Sequence, residues 1–309
     1  MAVTSGNWQK SLWPGVAAWF NDNYSAWDPE YTDVFTVLKS GKAFEQMVGM
    51  SLFGLPAVKD EGNPITYDDT QQTYINQWTH AVYALGTKIT LEAYRDNQYN
   101  LDALSRRPKA LARSMREGEE TIHANVLNRA FNSAYTMGSS SDGVQLVSSA
   151  HLNGPYGANG SNSLTAADLS ETTLEDAIVS VNTMTDPRGL KIKVMADSLI
   201  IPPATQFIAE RILMSPQQND TANNAINALK TKNSVPGGYK VNHYLTDTDA
   251  WFVTTSINSG GEGLVSYSAW PTEFGMDNEF DTFNMKVKAF FRLSAGWGDW
   301  RCIFGNQGA

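Results

Sequence analysis

Residues 103–135 read ALSRRPKALARSMREGEETIHANVLNRAFNSAY, and the reading of this stretch decides the fold. Leu104, Leu111, Met115, Ile122, Val126 and Ala130 recur at steps of seven or four, the spacing of one face of an α-helix. Arg113, Arg116, Glu117, Glu120 and Arg129 fall mostly off that stripe and are expected on a solvated face. Pro108 is acceptable in a first turn, where its missing N–H has no helical partner. A helix over 108–135 would run about 40 Å. Gly118 is its weak point, costing ~1 kcal/mol relative to alanine. The turn-forming run MGSSSDG at 137–143 stops it. One long helix with strand-like sequence on both sides predicts an α+β chain built on a helical spine.

Upstream, residues 1–40 scatter Trp8, Trp13, Trp19, Phe20, Tyr24, Trp27, Tyr31 and Phe35 among Asn, Asp, Gly and Pro, with no sustained period. So aromatic a segment needs a covering surface. Two coverings are open: its own domain, as an irregular leader, or a neighbouring subunit, where aromatic residues serve as anchors. Residues 44–53 are predicted as a short helix. Residues 54–73, GLPAVKDEGNPITYDDTQQT, are dense in Gly, Pro and acid, and 74–91 read as strand from their β-branched and aromatic content. Together these predict a hairpin-like excursion whose tip, 59–69, is too poor in apolar residues to build a core. A long polar loop of this kind serves binding or assembly.

Downstream, residues 138–170 are loop-rich. Ser170 is placed as the N-cap of a helix whose face is Leu174, Ala177, Ile178 and Val181. Asp186-Pro187-Arg188-Gly189 is a turn. In LKIKVMADSLIIPPATQFIAERILM, 190–214, the alternation Leu190, Ile192, Val194 predicts a half-buried strand and Leu199-Ile200-Ile201 a buried one. Pro202-Pro203 stops it and opens a helix carrying Phe207, Ile208, Ile212 and Leu213. Residues 241–245, 250–255, 264–270 and the alternating 283–293 read as strands. The last stretch, GWGDWRCIFGN, is expected to pair with the strand before it across 294–298.

This order of elements, an extended arm, a long loop, a spine helix, a helix–strand–Pro-Pro–helix unit and returning strands, resembles the major capsid protein of tailed double-stranded DNA bacteriophages, with its Hong Kong 97-type fold. The Ala150-His151-Leu152-Asn153-Gly154 turn, the Ser-Asn-Ser-Leu loop and the 190–214 stretch are similar to the Mu-like major head subunits. The resemblance implies an N-terminal arm over 1–45, an extended loop hairpin over 46–90, a peripheral domain with the spine helix over 91–170, an axial domain over 171–270, and return strands of the peripheral domain over 271–309. It implies a structural subunit assembling into hexamers and pentamers of an icosahedral head. The arm and loop would cross subunit boundaries, making Trp8, Trp13, Trp19, Trp27, Lys59, Asp60, Glu61, Asp68 and Asp69 candidate inter-subunit contacts. Expected partners are copies of itself, scaffold, portal and decoration proteins, and packaged DNA without specific binding. The expected location is the virion, with assembly in the host cytoplasm. Many relatives carry a helical scaffold extension, yet no charged, heptad-like leader precedes Phe35. A separate scaffold protein and a proteolytically matured chain both remain open. Deleting 1–28 is expected to leave a folded subunit with a weakened lattice. Some relatives staple their shells through a Lys–Asn isopeptide bond. Lys59 lies where such a lysine would be, but no residue context marks its partners, so no covalent bond is expected.

Composition sets further bounds. The 309 residues include 23 Lys+Arg and 32 Asp+Glu, a formal net charge of −9, which argues against a general nucleic-acid-binding surface. The single cysteine, Cys302, excludes an internal disulfide framework and a cysteine-rich metal site, and fits a reducing compartment. No stretch approaches a membrane span and the opening MAVTSGNWQK has no signal-peptide pattern, so no membrane is expected. No GxSxG, HExxH, CxxC or GxxxxGK[ST] motif is present. His80, His123, His151 and His243 lie in unrelated contexts and read as structural or surface residues. Asp68-Asp69 and Glu117 with Glu120 read as a solvated loop and a solvated helix face. Gly260-Gly261-Glu262-Gly263 reads as a turn. No catalytic, cofactor or metal residue is assigned. Two alternatives stand beside the viral shell: an encapsulin-type cellular compartment, which would need a cargo protein, and a carbohydrate-active hydrolase with paired carboxylates in an aromatic cleft.

Overall fold

The structure, a computed structural model, describes residues 5–90, 102–153, 159–218, 225–279 and 284–309, with the side chains of 5–14, 102–105 and 278 outside the described part. In chain order, helix α1 (Ser5–Tyr24) and a 3-10 turn (Glu30–Asp33) precede β1 (Thr36–Lys39), β2 (Phe44–Met50), β3 (Gln72–Thr79) and β4 (Ala81–Ile89). Then come α2 (Asp102–Asn128), α3 (Glu171–Asn182), β5 (Ala196–Ile201), α4 (Gln206–Met214) and α5 (Ala228–Thr231). The chain ends with β6 (Tyr239–Val241), β7 (Trp251–Thr255), α6 (Ser256–Ser259), β8 (Leu264–Asn278), β9 (Met285–Trp297) and β10 (Ile303–Asn306). Among the described residues the strands form three sheets, in the orders β1-β8-β9-β4, β10-β7-β5-β6 and β2-β3. Only the β1–β8 and β5–β6 pairs are parallel among the described residues.

Helix α2 is the spine, and it joins the two larger sheets. Its first half buries Leu111, Ala112 and Met115 against Val287, Ala289, Phe291 and Leu293 of β9 and Phe20 of α1. Farther along, Val126, Leu127 and Ala130 enter a core shared by Val265 and Trp297 of the first sheet and Ile200, Phe252 and Ile303 of the second. Strand β5 is buried on both faces, which accounts for its continuous Leu-Ile-Ile run. Ile200 faces the spine, while Leu199 and Ile201 meet α3 and α4 in a third cluster. Each such side chain contributes ~1.5–3 kcal/mol on burial. Ser170 caps α3 as expected: its hydroxyl accepts from the Thr173 N–H at 3.2 Å, and the helix buries Leu174, Ala177, Ile178 and Val181. Pro203 opens a short 3-10 turn that leads into α4.

Several expectations change. The spine starts before Pro108, which lies inside it, and ends at Asn128, short of Tyr135. Arg116 and Glu120 are buried rather than solvated, at 8% and 2% exposure, because α1 and the 30–31 peptides cover that face. Residues 5–24 are a helix rather than an irregular leader. Residues 44–50 form a strand with alternating exposure, since pairing with β3 outweighs a marginal helical pattern. The 74–91 stretch breaks at His80 into two strands that serve different sheets. Leu190–Val194 makes only an isolated Thr185–Lys191 bridge, and the strand begins at Ala196. The final strand does not pair back on β9. β10 runs antiparallel to β7 and closes the second sheet, because β9 continues straight through Trp297 in the first. Leu104, Phe283 and Gly154 fall outside the described residues or side chains.

Candidate assembly surface

Strands β2 and β3 pair with each other, from Phe44↔Thr79 to Met50↔Gln72, and join neither larger sheet. Their base is rooted. The Ile75 N–H donates to the Ser140 carbonyl and the Gln77 N–H to that of Met137, each at 2.9 Å, and Trp78 is buried in the shared core. The distal part is not covered by its own fold. Beyond the Ser51–Gln71 bonds, Leu52, Phe53, Leu55 and Ile65 are exposed, Val58 is 95% exposed and Tyr67 87%. Lys59, Asp60 and Glu61 lie exposed at the tip, which turns where Gly62 adopts φ +85°. Asp68 and Asp69, expected to face a neighbour, are engaged within their own chain by Arg188. The Gly54 N–H and then the Arg188 guanidinium hold the Asp68 carboxyl below the usual carboxylate range.

Of the arm tryptophans, Trp19 and Trp27 are exposed, at 36% and 43%, whereas the side chains of Trp8 and Trp13 lie outside the described part. Val16 and Phe20 are buried, and Phe20 packs on Leu111 and Phe291 of its own subunit. The anchoring of this segment is polar as well, and sequence reasoning missed it. Tyr24 Oη and Thr272 Oγ1 donate to the Glu119 carboxylate at 2.7 and 2.6 Å, with the Arg116 guanidinium 4.2 Å above the Tyr24 ring. Glu120 accepts from the Glu30 and Tyr31 N–H groups at 2.9 and 3.1 Å. Tyr31 stacks on His123, whose Nε2 lies 2.7 Å from Ser266 Oγ. Burial pushes Glu120 up to about 7 and His123 down to about 4. The legible signal was spacing: Val16, Phe20 and Tyr24 recur every four residues, as do Arg116/Glu120 and Glu119/His123.

Two further surfaces stand out. Phe207 and Met214 of α4 and Ile226 after it are exposed apolar side chains, with Phe207 70% exposed. A shallow cleft of about 380 Å³ lies between β4 and the spine, lined by Tyr83, Leu85, Met115, Ile122 and Phe291, with Glu117 the one carboxylate among its described lining residues. The histidines occupy separate sites. His80 sits between Ser40 and Ser294, His151 is buried beside Asp142 and Asn162, and His243 meets Glu30 at the surface. No group of His, Cys, Asp and Glu among the described residues could hold a metal, and no described helix is long and apolar enough to cross a membrane.

The architecture is similar to that of capsid structures. Against the capsid of Myoviridae phage XM1 the TM-score is 0.56 at 13% identity, covering 90% of both chains. Against the capsid of a native GTA particle it is 0.56 at 11% identity, covering 92% of this chain and 91% of that one. The mature capsid of bacteriophage PhiM1 gives 0.53 at 9% identity, covering 91% and 87%. These likenesses show the Hong Kong 97-type fold. No curated relative matches the sequence. The phage capsid protein family matches residues 76–306, which include the spine, the whole of the second sheet and the first sheet apart from β1, and the chain belongs to that family as a structural major capsid protein.

Proposed function

We propose that this subunit closes an icosahedral head from hexamers and pentamers by laying its extended loop on a neighbouring copy. The observation that carries this is the 52–67 stretch, whose large apolar side chains stand in solvent on a hairpin that belongs to neither larger sheet. Exposed apolar clusters of this kind mark interaction sites. Lys59, Asp60 and Glu61 at the tip, and Trp19 and Trp27 on the outer side of the N-terminal segment, are the contacts proposed for neighbours. Asp68 and Asp69 serve the loop itself. The proposed division is an arm (1–45), loop (46–90), peripheral (91–170) and axial (171–270) parts, then return strands (271–309), with 81–89 and 264–270 moved to the peripheral part because they pair in the sheet of β9. Residues 303–306 belong with the axial part, because β10 extends its sheet.

Scaffold, portal and decoration proteins, assembly in the host cytoplasm and DNA held without specific contacts complete the reading. The subunit acts as a container and not as an enzyme. Membership in a phage family favours a viral head over a cellular compartment. Electron microscopy with sedimentation of the purified protein tests the proposal. Closed shells or capsomers are expected, and a well-folded monomer under every salt and scaffold condition would refute it.

A further inference from the structure

One side chain ties the returning leg of the extended loop to the turn between α3 and β5. Arg188 Nη1 donates to Asp68 Oδ2 at 2.5 Å and Nη2 to the Asp69 carbonyl at 2.5 Å. The same Asp68 oxygen accepts from the Gly54 N–H at 2.7 Å, so the outgoing leg and the returning leg share one bond network. A Cβ on Gly54 would stand 3.2 Å from Arg188 Nη1 and 3.3 Å from Asp68 Oδ2, closer than a side chain tolerates without displacement. The arginine is presented by a braced turn. Buried Asp186 accepts from the Arg188 and Leu190 N–H groups at 2.9 and 2.8 Å, Gly189 adopts φ +84°, and Arg301 Nε donates to the Thr185 carbonyl at 3.1 Å. Arg188 is 13% exposed and Asp68 43% at the side chain, so one partner is seated in the body and the other rides on the loop.

We propose that Arg188 is a positioning residue for shell assembly, its clasp on Asp68, which also holds Gly54, and on Asp69 setting the angle at which the loop is offered to a second copy of this chain. This rests on the reading of the loop as the assembly surface. Without the Arg188 bonds, the loop keeps the Ser51–Gln71 pair and the Gly54–Asp68 bond between its own legs but loses its tie to the body, and the freedom of its angle must be lost when a neighbour binds. A closed lattice also demands one repeated angle from every copy. The bidentate geometry suits arginine and not lysine.

The test compares dissociated subunits of the wild type, Arg188→Ala, Arg188→Lys and Asp68→Asn under chymotrypsin. The Phe53–Gly54 and Tyr67–Asp68 bonds adjoin the clasp, while tryptic cleavage at Lys59, at the tip, is the control. Cleavage at the two adjoining bonds is expected to rise about tenfold in Arg188→Ala, the factor carried by one charge-assisted hydrogen bond, with Lys59 cleavage unchanged. Arg188→Lys should fall between. High salt should loosen the wild type and leave Arg188→Ala alone, because the pair is half solvated. Assembly of the loosened variants should give shells of mixed diameter where the wild type gives one. Asp68→Asn leaves the Asp186 turn intact and reports even where Arg188→Ala lowers the melting midpoint. Equal chymotryptic rates in all four proteins, or a single wild-type-like shell from a variant with a loosened loop, overturns the proposal. Were the wild type itself to stay monomeric, the assembly reading would fail and the cleavage comparison would still decide the clasp.

Discussion

Asn162, fully buried, concentrates more hydrogen bonds than any apolar residue beside it could replace. Its Nδ2 donates toward the Leu146, Trp300 and Ile303 carbonyls at 2.8, 3.1 and 2.9 Å, and its Oδ1 accepts from the Ser148 N–H at 2.9 Å. It thus joins the 146–148 segment to the C-terminal segment. Asn162→Ala leaves buried backbone groups unpaired and is expected to lower subunit stability by about 3 kcal/mol, read by denaturant unfolding. Asn162→Asp should cost more, since an acceptor would then face three carbonyls. The spine's titrating pair makes a second prediction. Glu120 is raised from 4.5 to about 7 by burial, so its contribution to stability is full below 4.5 and is lost as pH rises through about 7. His123 is depressed from 6.5 to about 4 by burial, so its contribution is full above 6.5 and is lost as pH falls toward 4. The two slopes oppose each other between about 4.5 and 6.5. Glu120→Gln should unmask the histidine, giving stability that falls on acidification through that window. A pH–stability profile of the variant as flat as the wild type's would contradict this assignment.

At the scale of the element, α1 shows why neighbouring aromatics differ. Phe20 is 1% exposed in the core with Leu111 and Phe291, and Trp19 beside it is 36% exposed. Phe20→Ala should therefore cost about 3–5 kcal/mol of subunit stability. Trp19→Ala should leave it within about 0.5 kcal/mol and weaken capsomer association by up to ~2 kcal/mol, measured by sedimentation against the melting curve. Removing 1–28 deletes Phe20 and the Tyr24 bond to Glu119, so the truncated subunit is expected to lose stability, not only lattice strength. A truncated chain that melts like the full one would place the segment outside its own core.

Across the whole molecule, charge decides how the shell meets its contents. The net charge is −9, and of the cations that could form a basic stripe, Lys39, Lys42, Arg106, Arg107, Lys109, Arg113 and Arg116, three are paired with carboxylates of the same chain. Lys42 pairs with Glu45 at 3.0 Å, Arg113 with Glu117 at 2.7 Å, and Arg116 is buried against Glu119 at 3.2 Å. Repulsion between the acidic subunit and DNA extends over about 8–10 Å at physiological salt. Capsomers are expected to bind labelled duplex weakly and without sequence preference. A titration showing sub-micromolar affinity, with a salt slope equal to several phosphate contacts, would mean that the wall attracts the genome.

The features legible in the amino-acid order are those that short-range periodicity and backbone chemistry control. The spine's apolar stripe, the Ser170 cap, the buried Leu-Ile-Ile strand and its Pro-Pro stop each follow from neighbours within a turn or two, and each appears in the structure. The order of these elements pointed to the capsid fold for the same reason. Tertiary structure alone decided the rest. Whether 44–50 is helix or strand depended on β3, more than twenty residues away. The partner of 303–306 depended on which sheet had an open edge at β7. Arg116 and Glu120 looked like a solvated face because nothing local shows that α1 and the 30–31 peptides return to cover them. The Arg188 clasp joins residues 120 positions apart, a separation over which sequence carries no periodic signal. Strand pairing and the burial of charge are set by contacts between distant segments, and those contacts exist only once the chain has folded.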